Sequence, residues 1–140
     1  MNQGKIITDD ISIKKILEDA KSIAILGLSP KSQRDSNKVG KYMKEHGYKI
    51  IPIRPGQKQI LGEKAFASLD DIQEPVDIVN VFRRSEQIMP HAEEALRNKP
   101  NIFWMQLGIE NQEAARMLTE AGIDVIMDMC IKVEHNRLCK

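Results

Sequence analysis

Aromatic side chains are scarce in this chain: three Phe, two Tyr and one Trp in 140 residues. So few rings argue against the stacking platforms on which single-stranded nucleic acids are held. Cysteine is scarce as well. Cys130 and Cys139 are not in a C-x-x-C arrangement, and two cysteines make a poor disulfide framework, so a reducing cytoplasm is the expected compartment. No charge of one sign dominates. Lys and Arg number 21 against 20 Asp and Glu, and a net charge of +1 gives no support to a nucleic-acid partner. No apolar run approaches the roughly 18 residues of a membrane-spanning helix. The start, MNQGKIITDDIS, lacks the charged-then-apolar layout of a signal peptide, so no membrane partner is expected. Internal repeats, low-complexity tracts and linker-like shifts in composition are missing too.

What remains is the composition of a globular protein, 41% hydrophobic and 29% charged, at a length that fits one domain over residues 1–140. Residues 1–21 form an N-terminal helical region. Asp10 and Ser12 are its N-cap candidates, and Ile13, Ile16, Leu17 and Ala20 fall at helical spacing. The apolar runs at 22–28, 48–53, 76–82, 101–107 and 124–129 read as strands, with a short further one at 64–67. The second is expected to be stopped by Pro52 and Pro55. Helices are expected at 36–46, 85–98 and 110–121, with a short one capped by Ser68. Ser85 is the N-cap expected for 85–98, and Pro90 sits near the start of that helix. Continuous apolar strands alternating with helices imply βαβ units. The expected fold is α/β, a three-layer, doubly wound, mainly parallel sheet of five or six strands.

Ligands of such sheets bind outside the carboxyl ends of the strands. Here those ends carry Gly27, Ser29 and Pro30, then Arg54 and Pro55, then Phe82, Arg83 and Arg84, then Gln106 and Gly108, and last Met129 and Cys130. A strand that ends on glycine and opens onto a helix start is an anion site, because free N–H groups and the helix dipole both favour phosphate. A nucleotide-like small molecule is therefore the expected ligand. The loop 29–36 is too long for G-x-G-x-x-G and lacks its later glycines; Gly40 suits close helix packing instead. Ser29, Lys31, Ser32, Arg34 and Ser36 are candidates for phosphate contact or members of a solvated loop. An NAD site wants Asp or Glu after the second strand. This chain has Arg54, which points toward NADP or a 3′-phospho-ADP group such as that of coenzyme A. Of Arg83 and Arg84, one faces solvent by alternation; the other reaches a phosphate or holds loop carbonyls. Phe103 and Trp104 read as core. Gln106 is a candidate polar contact to the ligand. Cys130 is either a buried inert thiol or one placed to meet a ligand's own thiol. His46 and His91 read as solvated helix positions, and Asp70–Asp71 and Glu93–Glu94 as solvated faces. No H-E-x-x-H, phosphate-loop or Ser–His–Asp pattern occurs, so no catalytic residue and no metal ligand is assigned.

The stretches IAILGLSPKSQRDSNKVGKYMKEHGYKIIPIRP, ILGEKAFASLDDI, PVDIVNVFRRSE and WMQLGIENQEAARMLTEAGIDVIMDMCIKVEH resemble the small stand-alone CoA-binding proteins. These are relatives of the CoA-binding domain in the α subunit of succinyl-CoA synthetase. The resemblance spans a core of about residues 22–136. It implies a Rossmann-like domain that binds CoA or an acyl-CoA across the carboxyl edge of its sheet. By position, Gly27, Ser29 and Pro30 match the family's G-x-S-P turn, Arg34 and Ser36 the residues before its helix, and Val39 the first turns. Pro55 matches its V-N-P, Phe82 and Arg83 its F-R, Gln106 and Gly108 its Q-L-G, and Cys130 its terminal cysteine. Arg54 departs from the usual asparagine. The synthetase's phosphohistidine segment is absent. The expected function is a cytoplasmic binding or sensing module for CoA, without chemistry of its own. The alternative is a small NADP-dependent or thiol-redox enzyme using Cys130. A protein partner or a homo-oligomer stays open.

Overall fold

In the computed structural model, which describes residues 3–139, the chain runs α1 (Asp10–Asp19), β1 (Ser22–Leu26), α2 (Asp35–Glu45) and β2 (Lys49–Ile53). A hairpin of β3 (Gln59–Ile60) and β4 (Glu63–Lys64) follows, then a 3₁₀ turn (Leu69–Asp71) and β5 (Ile78–Val81). A second 3₁₀ turn (Ser85–Gln87) leads into α3 (Ile88–Asn98). The chain continues through β6 (Ile102–Met105), α4 (Gln112–Glu120), β7 (Asp124–Ile126) and α5 (Ile131–Leu138). The main sheet has the order β2-β1-β5-β6-β7, and every pair in it is parallel. The fold is α/β and Rossmann-like.

Alternate residues of each strand feed two apolar clusters. On one face Leu26, Val81 and Met105 meet Ile88 and Ala92 of α3 and Ala115 and Leu118 of α4. On the other, Ile25, Ile78 and Trp104 meet Leu17 of α1, Val39 and Met43 of α2 and Ile131 of α5. Both faces of the sheet are thus covered, which explains why its strands read as unbroken apolar runs. Leu17 and Met43 are fully buried, and truncating either to alanine would cost about 2–5 kcal/mol.

Several details differ from the sequence expectation. Asp9 caps α1, accepting from the Ser12 N–H at 2.9 Å; Asp10 and Ser12 lie inside the helix. Pro52 lies within β2 rather than ending it. That strand is at the sheet edge, and the Pro52 carbonyl faces outward to accept from Phe66 N–H, so the missing N–H breaks no ladder bond. The short strand expected at 64–67 is a hairpin with one bridge from Phe66 to Ile53. Ser85 does not cap α3. Its hydroxyl accepts from Glu110 N–H at 3.0 Å, and Pro90 falls in the first turn, where an N–H is not needed. Helix α5 was not anticipated, because its segment IKVEHNRL buries Ile131 and His135 alone and shows little periodicity. Tertiary contacts hold it: Trp104 Nε1 donates to Met129 O at 2.7 Å, and the Tyr42 hydroxyl lies 2.9 Å from His135 Nδ1. Residues 4–7 run beside β7, with Val125 N–H bonded to Lys5 O and Ile7 N–H to Val125 O. No helix among the described residues is long and apolar enough to cross a membrane.

Candidate ligand site at the carboxyl edge

From β1 the chain moves outward to β2 on one side of the sheet, and from β5 it moves to β6 and β7 on the other. The crevice between these two directions opens outside the carboxyl ends of β1 and β5. Gly27 stands at its floor with φ +82°, and a Cβ there would lie 2.5 Å from Phe82 O. Its N–H also donates to Ile53 O at 3.0 Å, so the turn is pinned between β2 and β5.

The loop after Gly27 is built from inside. Ser29 N–H donates to Ser36 Oγ at 3.0 Å, Asn37 Nδ2 donates to Ser29 O at 2.9 Å, and Lys31 N–H donates to Ser29 Oγ at 3.1 Å. Ser29, Ser36 and Asn37 are all buried. These groups shape the loop, and the side chains left facing outward are Pro30, Lys31, Ser32, Gln33 and Arg34. Arg34 is the N-cap of α2 but makes no side-chain cap bond, so the first-turn N–H groups have no side-chain acceptor there. Asn37 was not singled out in the sequence; an asparagine in a helix's first turn carries no signal of a bond back to a loop carbonyl. Val39 is turned into the core beside α5.

Arg54 leaves β2 half-buried, with its backbone N–H on Phe66 O at 2.7 Å and Nη1 3.4 Å from Leu28 O. Its guanidinium therefore lies over the exit of β1. Pro55 beside it is exposed. At the end of β5, Phe82 and Arg83 are half-buried and Arg84 is exposed, so Arg84 is the arginine that faces solvent. Arg83 has no ion pair among the described residues, and its Nε is buried without a hydrogen-bond partner. An unmet buried donor costs about 1–3 kcal/mol.

Gln106 ends β6 turned inward, 3% exposed, with Nε2 donating to Asn80 Oδ1. Gly108 is exposed, and its N–H donates to Asp128 Oδ1 at 2.7 Å. Cys130 is half-buried at the N-cap of α5, a free thiol at the opposite end of that helix from Cys139. Among the described residues, no cluster of three or more His, Cys, Asp or Glu side chains could hold a metal ion.

The sequence placed His91 and Glu94 on solvated faces. They are instead paired at 2.8 Å, with side chains 20% and 14% exposed. Two larger grooves, of about 560 and 550 Å³, lie at the opposite, amino edge. Both mix acids with lysines: Asp19, Asp77 and Asp124 with Lys5 and Lys15 in one, and Asp71 and Glu74 with Lys49 and Lys64 in the other. In the first, Asp77 accepts from the N–H groups of Lys21 and Ser22, and Asp124 from that of Lys5. At the carboxyl edge Lys31, Arg34, Arg54 and Arg83 make a basic rim, beside which an anion is favoured.

Sheet order, switch-point crevice and basic rim define a doubly wound α/β protein of the Rossmann-like class. Residues 21–136 match the CoA binding domain family, and the chain belongs to that family. It is 52% identical over 123 residues to the uncharacterized protein YneT of Bacillus subtilis (strain 168), covering 88% of this chain and 91% of that one. A hypothetical protein from Pyrococcus horikoshii OT3 superposes with a TM-score of 0.91 at 34% identity, over 100% of both chains. A dinucleotide-forming acetyl-coenzyme A synthetase of Ca. Korarchaeum cryptofilum shares the fold over 75% of this chain and 25% of its own, at a TM-score of 0.67 and 18% identity.

Proposed function

We propose that this protein binds CoA or an acyl-CoA across the carboxyl edge of its sheet and acts as a cytoplasmic binding or sensing module without chemistry of its own. The observation that carries the reading is Arg54 over the exit of β1, where a dinucleotide site would need an acid. In this reading Arg54 meets the 3′-phosphate of the nucleotide. The turn Gly27, Ser29, Pro30 lets the pyrophosphate approach Lys31, Arg34 and the open start of α2, with Ser36 and Val39 fixing that start from behind. The pantetheine arm crosses Pro55, Phe82, Arg83 and Gly108 toward Cys130, with Gln106 supporting the floor through Asn80. Membership of the CoA binding domain family supports the same ligand. Among the described residues the hydrogen bonds at the crevice join no nucleophile to a base, which favours binding over catalysis.

The test is calorimetric titration with CoA, dephospho-CoA and NADP, together with native mass spectrometry of the purified protein. CoA should bind at least about tenfold more tightly than dephospho-CoA, the loss expected when one charge-assisted pair is removed. NADP binding tighter than CoA would turn the reading toward the enzymatic alternative, and no heat with CoA would end it.

A further inference from the structure

Arg83 borders two adjoining depressions. One, of about 470 Å³, runs over the carboxyl edge between Phe82 and Ile109. The other, of about 390 Å³, continues down the α3 side between Arg83, Pro90 and His91. His91 is held in one orientation there. Its Nδ1 lies 2.8 Å from Glu94 Oε1, while Glu94 Oε2 accepts from the Ser68 hydroxyl and from Leu69 N–H at 3.1 Å. With Nδ1 and both carboxylate oxygens engaged, Nε2 is the ring nitrogen left for another partner. The second depression thus has the unpartnered Arg83 guanidinium on one side and an oriented imidazole on the other. The first turn of α3, beside it, has no side-chain cap. Glu86 borders both depressions, but it is exposed and forms no ion pair with Arg83.

We infer that this second depression is a subsite for a carboxylate, and that the acyl group the protein prefers carries a terminal carboxylate. The planar guanidinium of Arg83 suits two-oxygen recognition of such a group. The apolar walls Phe82 and Ile109 of the first depression suit the methylenes of an acyl chain that folds back from the thioester toward Arg83. The acyl assignment rests on the CoA reading above; the carboxylate subsite itself does not.

Glutaryl-CoA and valeryl-CoA have acyl chains of equal length and differ in the terminal charge. Calorimetry should give glutaryl-CoA an affinity about tenfold higher, the worth of one charge-assisted pair. His91→Gln should lower the ratio to about threefold, the share left to Arg83, while leaving the affinity for CoA itself within about twofold. Free glutarate, added to the wild-type chain, should shift the ring ¹⁵N signals of His91 among the three histidines, assigned by comparison with His91→Gln. Equal affinities for the two thioesters, or a preference undiminished in His91→Gln, would overturn the acyl assignment while leaving CoA binding intact. If neither CoA nor a thioester binds, the CoA reading fails by itself: a His91 shift with glutarate then upholds the carboxylate subsite, and no shift removes it.

Discussion

Arg54 Nη1 lies 3.4 Å from the carbonyl oxygen of Leu28, across the gap between the ends of β2 and β1. A bond that long is weak, so the contact aims the guanidinium more than it stabilises the fold. Arg54→Asn should therefore leave the melting temperature almost unchanged. Affinity for CoA should fall about tenfold and affinity for dephospho-CoA by less than about twofold. Calorimetry on both ligands checks this, and equal losses would show that Arg54 supports the turn rather than a phosphate.

Gly27→Ala tests the floor of the crevice. The native φ of +82° strains any residue with a Cβ, and that Cβ would sit 2.5 Å from Phe82 O, a backbone atom directly after the central strand β5. The expected cost is about 1–3 kcal/mol or more, read as a lower denaturant midpoint. CoA binding should weaken as well, because the only relief is to push the turn away from β5. A variant with wild-type stability would mean that the turn adopts another conformation in solution.

Ser36 and Ser32 of the loop make a separate prediction. Ser36→Ala removes the acceptor for the buried N–H of Ser29 and leaves Asn37 as the remaining tie between loop and helix. Stability should drop by about 1–3 kcal/mol, the cost of an unmet buried donor. Ser32→Ala, on the exposed part of the same loop, should change stability by less than about 0.5 kcal/mol. Chemical denaturation of both variants separates the internal cage from the solvated rim.

Legibility in the sequence follows the same division. The sheet was readable because two covered faces demand unbroken apolar strands, and the glycine turn and arginines of its carboxyl edge were readable because Gly27, Arg54 and Arg83 follow those strands directly. Which way a side chain turns was not readable. Gln106 ends its strand as a ligand contact would, yet donates inward to Asn80, and strand alternation alone does not distinguish the two. Val39 and Ser36 were placed by motif, but they serve the packing and the loop. His91 and Glu94, three residues apart on a helix, look like solvated charge until Ser68 and Leu69 arrive from elsewhere in the chain. Helix α5 was lost for a related reason. Its anchors, Trp104, Tyr42 and Asp10, are distant in sequence, and its own periodicity is slight.

Tyr48 contributes to the loss of stability expected in alkali. Burial pushes its phenol up to about 12, and its hydroxyl donates to Leu17 O. A phenol whose native value is raised favours the folded state below its ordinary value of 10.0, and that contribution disappears as pH rises from 10.0 to about 12. Tyr42 is raised too, by burial and by Cys139. With two tyrosines in the chain, the ultraviolet absorbance of tyrosinate should rise late and in two steps. Tyr48→Phe should delete the later step and flatten the alkaline fall in melting temperature. An unfolded-like titration in the wild-type chain at moderate temperature would contradict the buried placement.

Two surface pairs contribute to stability in acid. Arg137 donates to both oxygens of Asp10, at 2.7 and 2.9 Å, tying α5 to α1. Arg97 donates to both oxygens of Asp70, at 2.8 and 2.9 Å, tying α3 to the 3₁₀ turn at Leu69–Asp71. Each guanidinium holds its partner carboxyl below the ordinary value of 3.8. A carboxylate lowered in this way stabilises the folded state above 3.8, and the contribution is lost as pH falls through the lower native value. Melting temperature followed from about pH 7 down to about pH 2 should therefore steepen its fall below 3.8. Asp10→Asn should soften that fall with little effect near neutrality, where exposed pairs contribute modestly. Asp10 also lies in the first turn of α1, so part of its effect comes from the helix dipole. About 1 M salt should shrink both contributions, because both partners of each pair are exposed. An acid fall in Asp10→Asn as steep as in the wild-type chain would assign the acid limit to other carboxylates.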